Sequence, residues 1–136
     1  MDSPIEGYPV AGTLDAVLGF ELLEASPERC RARFAVEPRV QQPFGLVHGG
    51  AYAALAESMV SMVTHTAVHA DGNLALGQSN STSFFRPATE GNVHAEGEPI
   101  HRGRTSWVWD VRFTDDDGRL CAVSRVTMAV RPAPKS

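Results

Sequence analysis

Lysine is almost missing from this chain. Of twelve basic residues eleven are arginine, and Lys135 is the single lysine. Acidic residues outnumber the basic ones by sixteen to twelve, giving a net charge of −4. Proteins that grip nucleic acid through its phosphates usually carry a basic face, so this balance argues against that class. Cysteine is scarce too. Cys30 and Cys121 are far apart and have no companion Cys or His at metal-ligand spacing. Both fall in strand-like runs and read as small buried apolar residues. The start, MDSPIEGYPV, lacks a charged region followed by an apolar core, so no signal peptide is expected. No long apolar run goes uninterrupted. The longest, 51–70, contains Glu57, Ser58, Ser61, Thr64 and His65 and is too polar for a membrane span. The expectation is a cytoplasmic protein that engages neither nucleic acid nor membrane.

What is present fits one globular domain. The 136 residues are 43% hydrophobic and 21% charged, ordinary values for a chain long enough to build a core. Residues 1–12 hold Pro4, Gly7, Pro9 and Gly12 and read as an irregular lead-in. A single domain is expected over 13–131, and 132–136 form a tail. Thr13 is placed to cap a short helix that Gly19 ends. Strands are expected at 20–25 and 29–36, the second with Cys30, Ala32, Phe34 and Val36 on one face and Arg29, Arg31 and Arg33 on the other. Further strands are expected at 74–85, 93–100, 107–113 and 120–130, with Gly103 marking a bulge or bend and Asp115-Asp116-Asp117-Gly118 a hairpin turn. In the fifth strand Trp107, Trp109, Val111 and Phe113 alternate with polar residues and read as core. Strand runs with one segregated helix imply an α+β domain in which an antiparallel sheet curls around the helix.

That helix is expected over 49–69, closed by Asp71-Gly72, and apolar on nearly every side. Glu57, Ser58, Ser61, Thr64 and His65 stand at helical spacing and share a face. A buried carboxylate among hydroxyls is costly unless satisfied or used. At the start of the helix, His48-Gly49-Gly50 allows close approach to the backbone and leaves the first N–H groups free. With the helix dipole, those groups suit an oxygen that gains negative charge. Glu57 is eight residues further on, about 12 Å away at the helical rise. One carbonyl cannot be held by those amides and attacked by the Glu57 of the same chain. If these residues form one active centre, the protein is at least a dimer with antiparallel helices.

Gln42, His48-Gly49-Gly50, Glu57-Ser58 and Ser61, together with the later His101-Arg102-Gly103-Arg104 stretch and the Trp-rich strand after it, resemble the hotdog-fold acyl-CoA thioesterases. The resemblance spans about 19–131 and is strongest to the Arthrobacter-type 4-hydroxybenzoyl-CoA and 1,4-dihydroxy-2-naphthoyl-CoA thioesterase branch. The phenylacetyl-CoA type is related but tends to carry Asp where this chain has Glu57. The resemblance implies a long helix wrapped by a curved antiparallel sheet, paired chains forming a homotetramer as a dimer of dimers, and hydrolysis of acyl-CoA without cofactor or metal. It assigns the Gly49 amide and Gln42 to the thioester carbonyl and Glu57 of a partner to attack, as nucleophile or as general base. Ser61 positions the water or the carboxylate, and His48 supports the loop.

CoA phosphates call for arginine. Arg102 and Arg104 are the first candidates and Arg86 the next, with Gly103 allowing close approach and Gly50 and His101 alongside. By resemblance, Asn80, Ser81 and Thr82 line the pantetheine arm. The acyl walls are expected from Phe44, Met59, Met62, Phe84 and Phe85, and methionine adapts to varied shapes. An aromatic or a medium-chain acyl group fits. Two other readings were weighed. A dehydratase or hydratase of this fold uses a different motif, with prolines near its His. A non-catalytic acyl-CoA-binding module would not need both Glu57 and Gln42.

Overall fold

The computed structural model describes residues 3–135. The expected calls on Met1, Asp2 and Ser136 lie outside them. The described chain runs α1 (Leu14–Val17), β1 (Glu21–Ser26), β2 (Arg29–Ala35), a single 3-10 turn at Pro38–Val40, and α2 (Gly49–His69). Then come β3 (Asn73–Phe84), β4 (Asn92–Arg102), β5 (Ser106–Thr114) and β6 (Leu120–Pro132). The helix bounds match the expectation to the residue. The 3-10 turn in the approach loop was not expected; Pro38 starts it, where a missing N–H costs nothing.

All six strands form one antiparallel sheet in the order β1-β2-β4-β5-β6-β3. The chain therefore does not simply meander after α2. β4, β5 and β6 do, but β3 crosses to the far edge and pairs with β6. The curved sheet wraps α2, and this is the hotdog architecture. Trp109, Phe113, Phe34, Leu55, Met59 and Val60 fill the space between them with almost no exposure.

β4 is longer than expected, and its irregularity falls between Pro99 and His101 rather than at Gly103. Pro99 has no N–H to give the ladder, which favours a bulge there. Of the two expected alternatives Gly103 takes the bend, its N–H donating to the Ser106 carbonyl at 2.8 Å where β4 turns into β5. The arginine face of β2 is laced rather than simply solvated: Arg29 meets Glu96 at 2.7 Å and Arg33 meets Glu21 at 3.2 Å.

The helix is not buried on nearly all sides. Within one chain, Glu57, His65, Thr66 and His69 are exposed, while Ala53, Ala54, Ser58, Ser61 and Met62 are half-buried. The sheet covers one side of α2 and leaves this face open. No helix among the described residues is long and apolar enough to cross a membrane.

Candidate active site

The approach to α2 is fixed from both sides. The His48 N–H donates to the Val40 carbonyl at 2.8 Å, and the Val47 N–H to the Ala88 carbonyl at 3.1 Å. His48 is the N-cap: its Nδ1 accepts from the Gly50 N–H at 2.8 Å. With Nδ1 an acceptor, the neutral ring carries its proton on Nε2. The Gly50 amide is therefore used. The Gly49 N–H forms no hydrogen bond among the described residues. The pair of glycines thus presents one free amide at the positive end of a 21-residue helix.

Position 49 is closely packed. A Cβ there would stand 2.8 Å from Phe84 Cζ. The Phe84 ring, on the last residue of β3, lies across the helix entrance. Gln42 faces the same space. Its Oε1 accepts from the Phe44 N–H, which leaves the side-chain NH2 to donate outward. Gln42, Gly49, Tyr52, Phe84, Phe85 and Arg86 share a hollow of about 480 Å³. The Gln42 side chain and the Gly49 backbone thus line the same hollow.

Tyr52 was not foreseen in this hollow; it read as one apolar helix residue among many. Its spacing of three from Gly49 puts it on the same face. Tyr52 is 3% exposed and its hydroxyl has no hydrogen-bond partner among the described residues. Burial pushes that hydroxyl up to about 12, so it stays protonated at neutral pH.

Glu57 lies two turns further along the open face. Its carboxylate rests on the backbone of β3: a Cβ on Gly77 would stand 3.1 Å from Glu57 Cδ and 3.2 Å from Oε2. β3 slips register against β6 between Gly77 and Ser79, so the seat is a residue without a side chain at the edge of a bulge. One turn before Glu57, the Asn80 Nδ2 donates to the Ala53 carbonyl at 2.9 Å. Thr82 Oγ1 donates to Asn80 Oδ1 at 2.9 Å, which leaves Ser124 as the donor to Thr82 at 2.7 Å.

The polar stripe thus separates into parts. Thr64, expected beside Glu57, is fully buried; it accepts from the Trp109 indole N–H at 2.9 Å and donates to the Val60 carbonyl. Ser58 donates to the Asp15 carboxylate of α1 at 2.8 Å. Ser61 touches Met128 Sδ at 3.6 Å and stays beside the open face. The His65 and His69 rings lie 5.4 Å apart, tilted by 34°, near the helix end.

Other expected residues scatter. Asn80 and Thr82 face α2 but spend their polar atoms on the network above. Ser81 faces the opposite side of the sheet with Ser79 and Ser83. Arg86 is beside Gln42 and Gly49. Arg102 and Arg104 are at the other end of the sheet, where β4 turns into β5. There Arg102 meets Glu28 at 3.5 Å and stands 6.0 Å from the Trp107 ring. The His101 ring lies under Gly103, whose added Cβ would be 2.5 Å from it. Met59 is enclosed in the core at 1% exposure and offers no surface. Met62 is half-buried against the N-terminal arm, and Phe44 is exposed on the approach loop.

A curved antiparallel sheet wrapped on one long helix is the hotdog fold of thioesterases, here with a free amide at the helix start and a carboxylate on its open face. Residues 44–122 match the thioesterase superfamily. The proofreading thioesterase EntH of Cronobacter turicensis is 40% identical over 119 residues, covering 88% of this chain and 86% of its own. Thioesterase HI1161 of Haemophilus influenzae superposes with a TM-score of 0.85 at 30% identity, over 92% of this chain and 87% of that one. A variant of thioesterase PA1618 of Pseudomonas aeruginosa gives 0.85 at 36% identity, over 89% and 87%. The chain belongs to the thioesterase superfamily.

Proposed function

We propose that the protein hydrolyses an acyl-CoA thioester to the free acid and CoA, at a site shared between two copies. The observation that carries this is the pairing, on one rigid helix, of the free Gly49 amide and the Glu57 carboxylate about 12 Å further on. The Gly49 N–H and the Gln42 amide polarise the thioester carbonyl and hold the oxyanion of the tetrahedral intermediate. Glu57 of the second copy attacks the carbonyl, or takes a proton from a water that does. The thiolate then leaves without protonation in advance; where Glu57 itself has attacked, water then hydrolyses the Glu57–acyl anhydride to the free acid and restores the carboxylate. Ser61, beside Glu57, positions the water.

β3 supports the two-copy site. It is a 12-residue edge strand whose outer backbone groups have no ladder partner, and such edges template pairing with another chain. Pairing there would set the open faces of two α2 helices together, and two such dimers would form a tetramer. Arg86, beside the carbonyl end of the site, is the first choice for a CoA phosphate. Arg102 and Arg104 would reach the substrate only across the two-fold. The exposed Phe84 and Phe85 favour an aromatic or medium-chain acyl group.

The test is Glu57→Ala assayed by thiol release from a panel of aryl, medium-chain and short-chain acyl-CoAs. A fall in kcat by orders of magnitude with a smaller change in KM is expected. Near-normal turnover would remove Glu57 from the reaction. A stable active monomer in sedimentation would contradict the shared site.

A further inference from the structure

The last two turns of α2 hold a pair of histidines that take no part in the proposed reaction. His65 and His69 stand four residues apart, so they share one face of the helix. Both are exposed, and their ring centroids lie 5.4 Å apart. Two other histidine rings are engaged: His48 accepts from the Gly50 N–H, and His94 pairs with Asp116. His65 and His69 have no hydrogen-bond or ion-pair partner among the described residues, and neither ring packs into the core. Two imidazoles one helical turn apart are the arrangement with which a helix grips a divalent metal ion.

The surroundings favour a cation. α1 and β3 both pack on α2. Residues 3–19 and 49–84, which include all three elements, contain Glu6, Asp15, Glu57 and Asp71 and no Lys or Arg. The pair also stands in the last turns of a 21-residue helix, whose negative dipole end attracts positive charge. No third His, Cys, Asp or Glu groups with the pair among the described residues, so water completes the coordination. Neutral imidazoles suit ions such as Ni2+, Cu2+ and Zn2+ rather than Mg2+ or Ca2+, which take oxygen ligands. One nitrogen of each ring must come within about 2.1 Å of the ion, a small rotation for two exposed side chains already this close.

We propose that His65 and His69 form a binding site for one divalent transition-metal ion at the C-terminal end of α2. The ion is not part of the hydrolytic centre: His65 is eight residues beyond Glu57, about 12 Å away along the helix. The inference therefore stands independently of the hydrolase reading. Its effect is on the helix itself. An ion bridging residues 65 and 69 ties together the last turns, where helices fray. Held by the folded pair and not by the unfolded chain, it raises stability by mass action.

The experiment titrates Ni2+ and Zn2+ into the metal-free full chain by calorimetry, beside thermal melts with the ion and with EDTA. Wild type should bind one ion per chain and melt at a higher temperature with the ion than with EDTA. His65→Ala and His69→Ala should each weaken binding roughly 10-fold or more, at least the cost of losing a group that merely supports a metal ligand. Both should melt like wild type in EDTA, since neither ring has a partner to lose. His94→Ala, on β4, should leave the affinity unchanged. Absence of binding to wild type, or an affinity matching wild type in either of the His65 and His69 variants, overturns the inference. Loss of binding in His94→Ala does so too, because it would put the ion elsewhere.

Discussion

Gly77→Ala separates the demands of folding from those of catalysis at one atom. Gly77 is inside β3, and its backbone is not in the left-handed region, so alanine is conformationally allowed. An internal strand glycine costs roughly 0.5–1 kcal/mol relative to alanine. On the backbone alone, the substitution should therefore hold or raise the melting temperature. The added methyl meets Glu57 instead: 3.1 Å from Cδ and 3.2 Å from Oε2, against an ordinary contact of about 3.5–4.0 Å. The carboxylate is exposed and on a flexible side chain, so it yields by several tenths of an ångström at little cost to the fold. Catalysis has no such slack, since a displacement of 1 Å costs about 10²-fold. A fall in kcat of roughly 3–10-fold follows, with KM little changed. The assay is thiol release by wild type and variant at saturating acyl-CoA, beside a thermal melt at one fixed protein concentration. Unchanged kcat would refute the claim that β3 seats the carboxylate. A lost kcat accompanied by a lower melting temperature would mean that the methyl disturbs the fold.

Two further substitutions probe what holds the site in place. Thr64→Val keeps the volume but leaves the buried Trp109 indole N–H without its acceptor. A loss of roughly 1–3 kcal/mol is expected, read as a lower urea midpoint at constant m. Asp116 pairs with His94 at 2.7 Å and accepts from the Asn92 N–H, and these bonds, the His94 bond foremost, hold its carboxyl below its usual 3.8. A depressed carboxylate stabilises fully above its unfolded pKa and loses that contribution as pH falls through the folded value. The melting temperature of wild type should therefore exceed that of Asp116→Asn at pH 5, with the gap narrowing as pH falls below about 4. A gap that stays constant into acid would show that the pair contributes no charge-dependent stability.

The helix was legible because its ends carry local signals. His48-Gly49-Gly50 and Asp71-Gly72 bracket it, and both act within a turn of themselves. Strand existence was legible for the same reason: alternation from Trp107 to Phe113 is a local pattern, and all four apolar positions are buried. Sheet order was not. Whether β3 pairs with β4 or with β6 depends on contacts such as Phe84 with Ala122 and Asn73 with Pro132, far apart in the chain, and no local pattern encodes it. The polar stripe failed for a related reason. Periodicity gives a side chain's direction around the helix, not what stands opposite it along the length. Glu57 and Thr64 point similarly, yet one is level with the bulged edge strand at Gly77 and the other with Trp109 of β5. Asn80 and Thr82 misled in the other direction. Polar residues in a strand suggest ligand contact, but here they satisfy Ser124 and the Ala53 carbonyl.

That last network gives the site its precision. A shared site of the proposed kind needs α2 at a fixed position along its own axis, because one rigid rod carries Gly49 for one centre and Glu57 for the other. A slide in either direction would spoil both at once. Apolar packing alone holds such a slide weakly, since the hydrophobic effect is non-directional. β3 supplies the direction. Phe84 meets Gly49, Asn80 holds the Ala53 carbonyl and Gly77 receives Glu57: three successive points on the helix, four residues apart, are referenced to one strand. The same strand has the free edge on which a second copy would pair. The element that sets α2 within a chain would then also set it relative to the partner, and amide and carboxylate would meet without a separate device to align them.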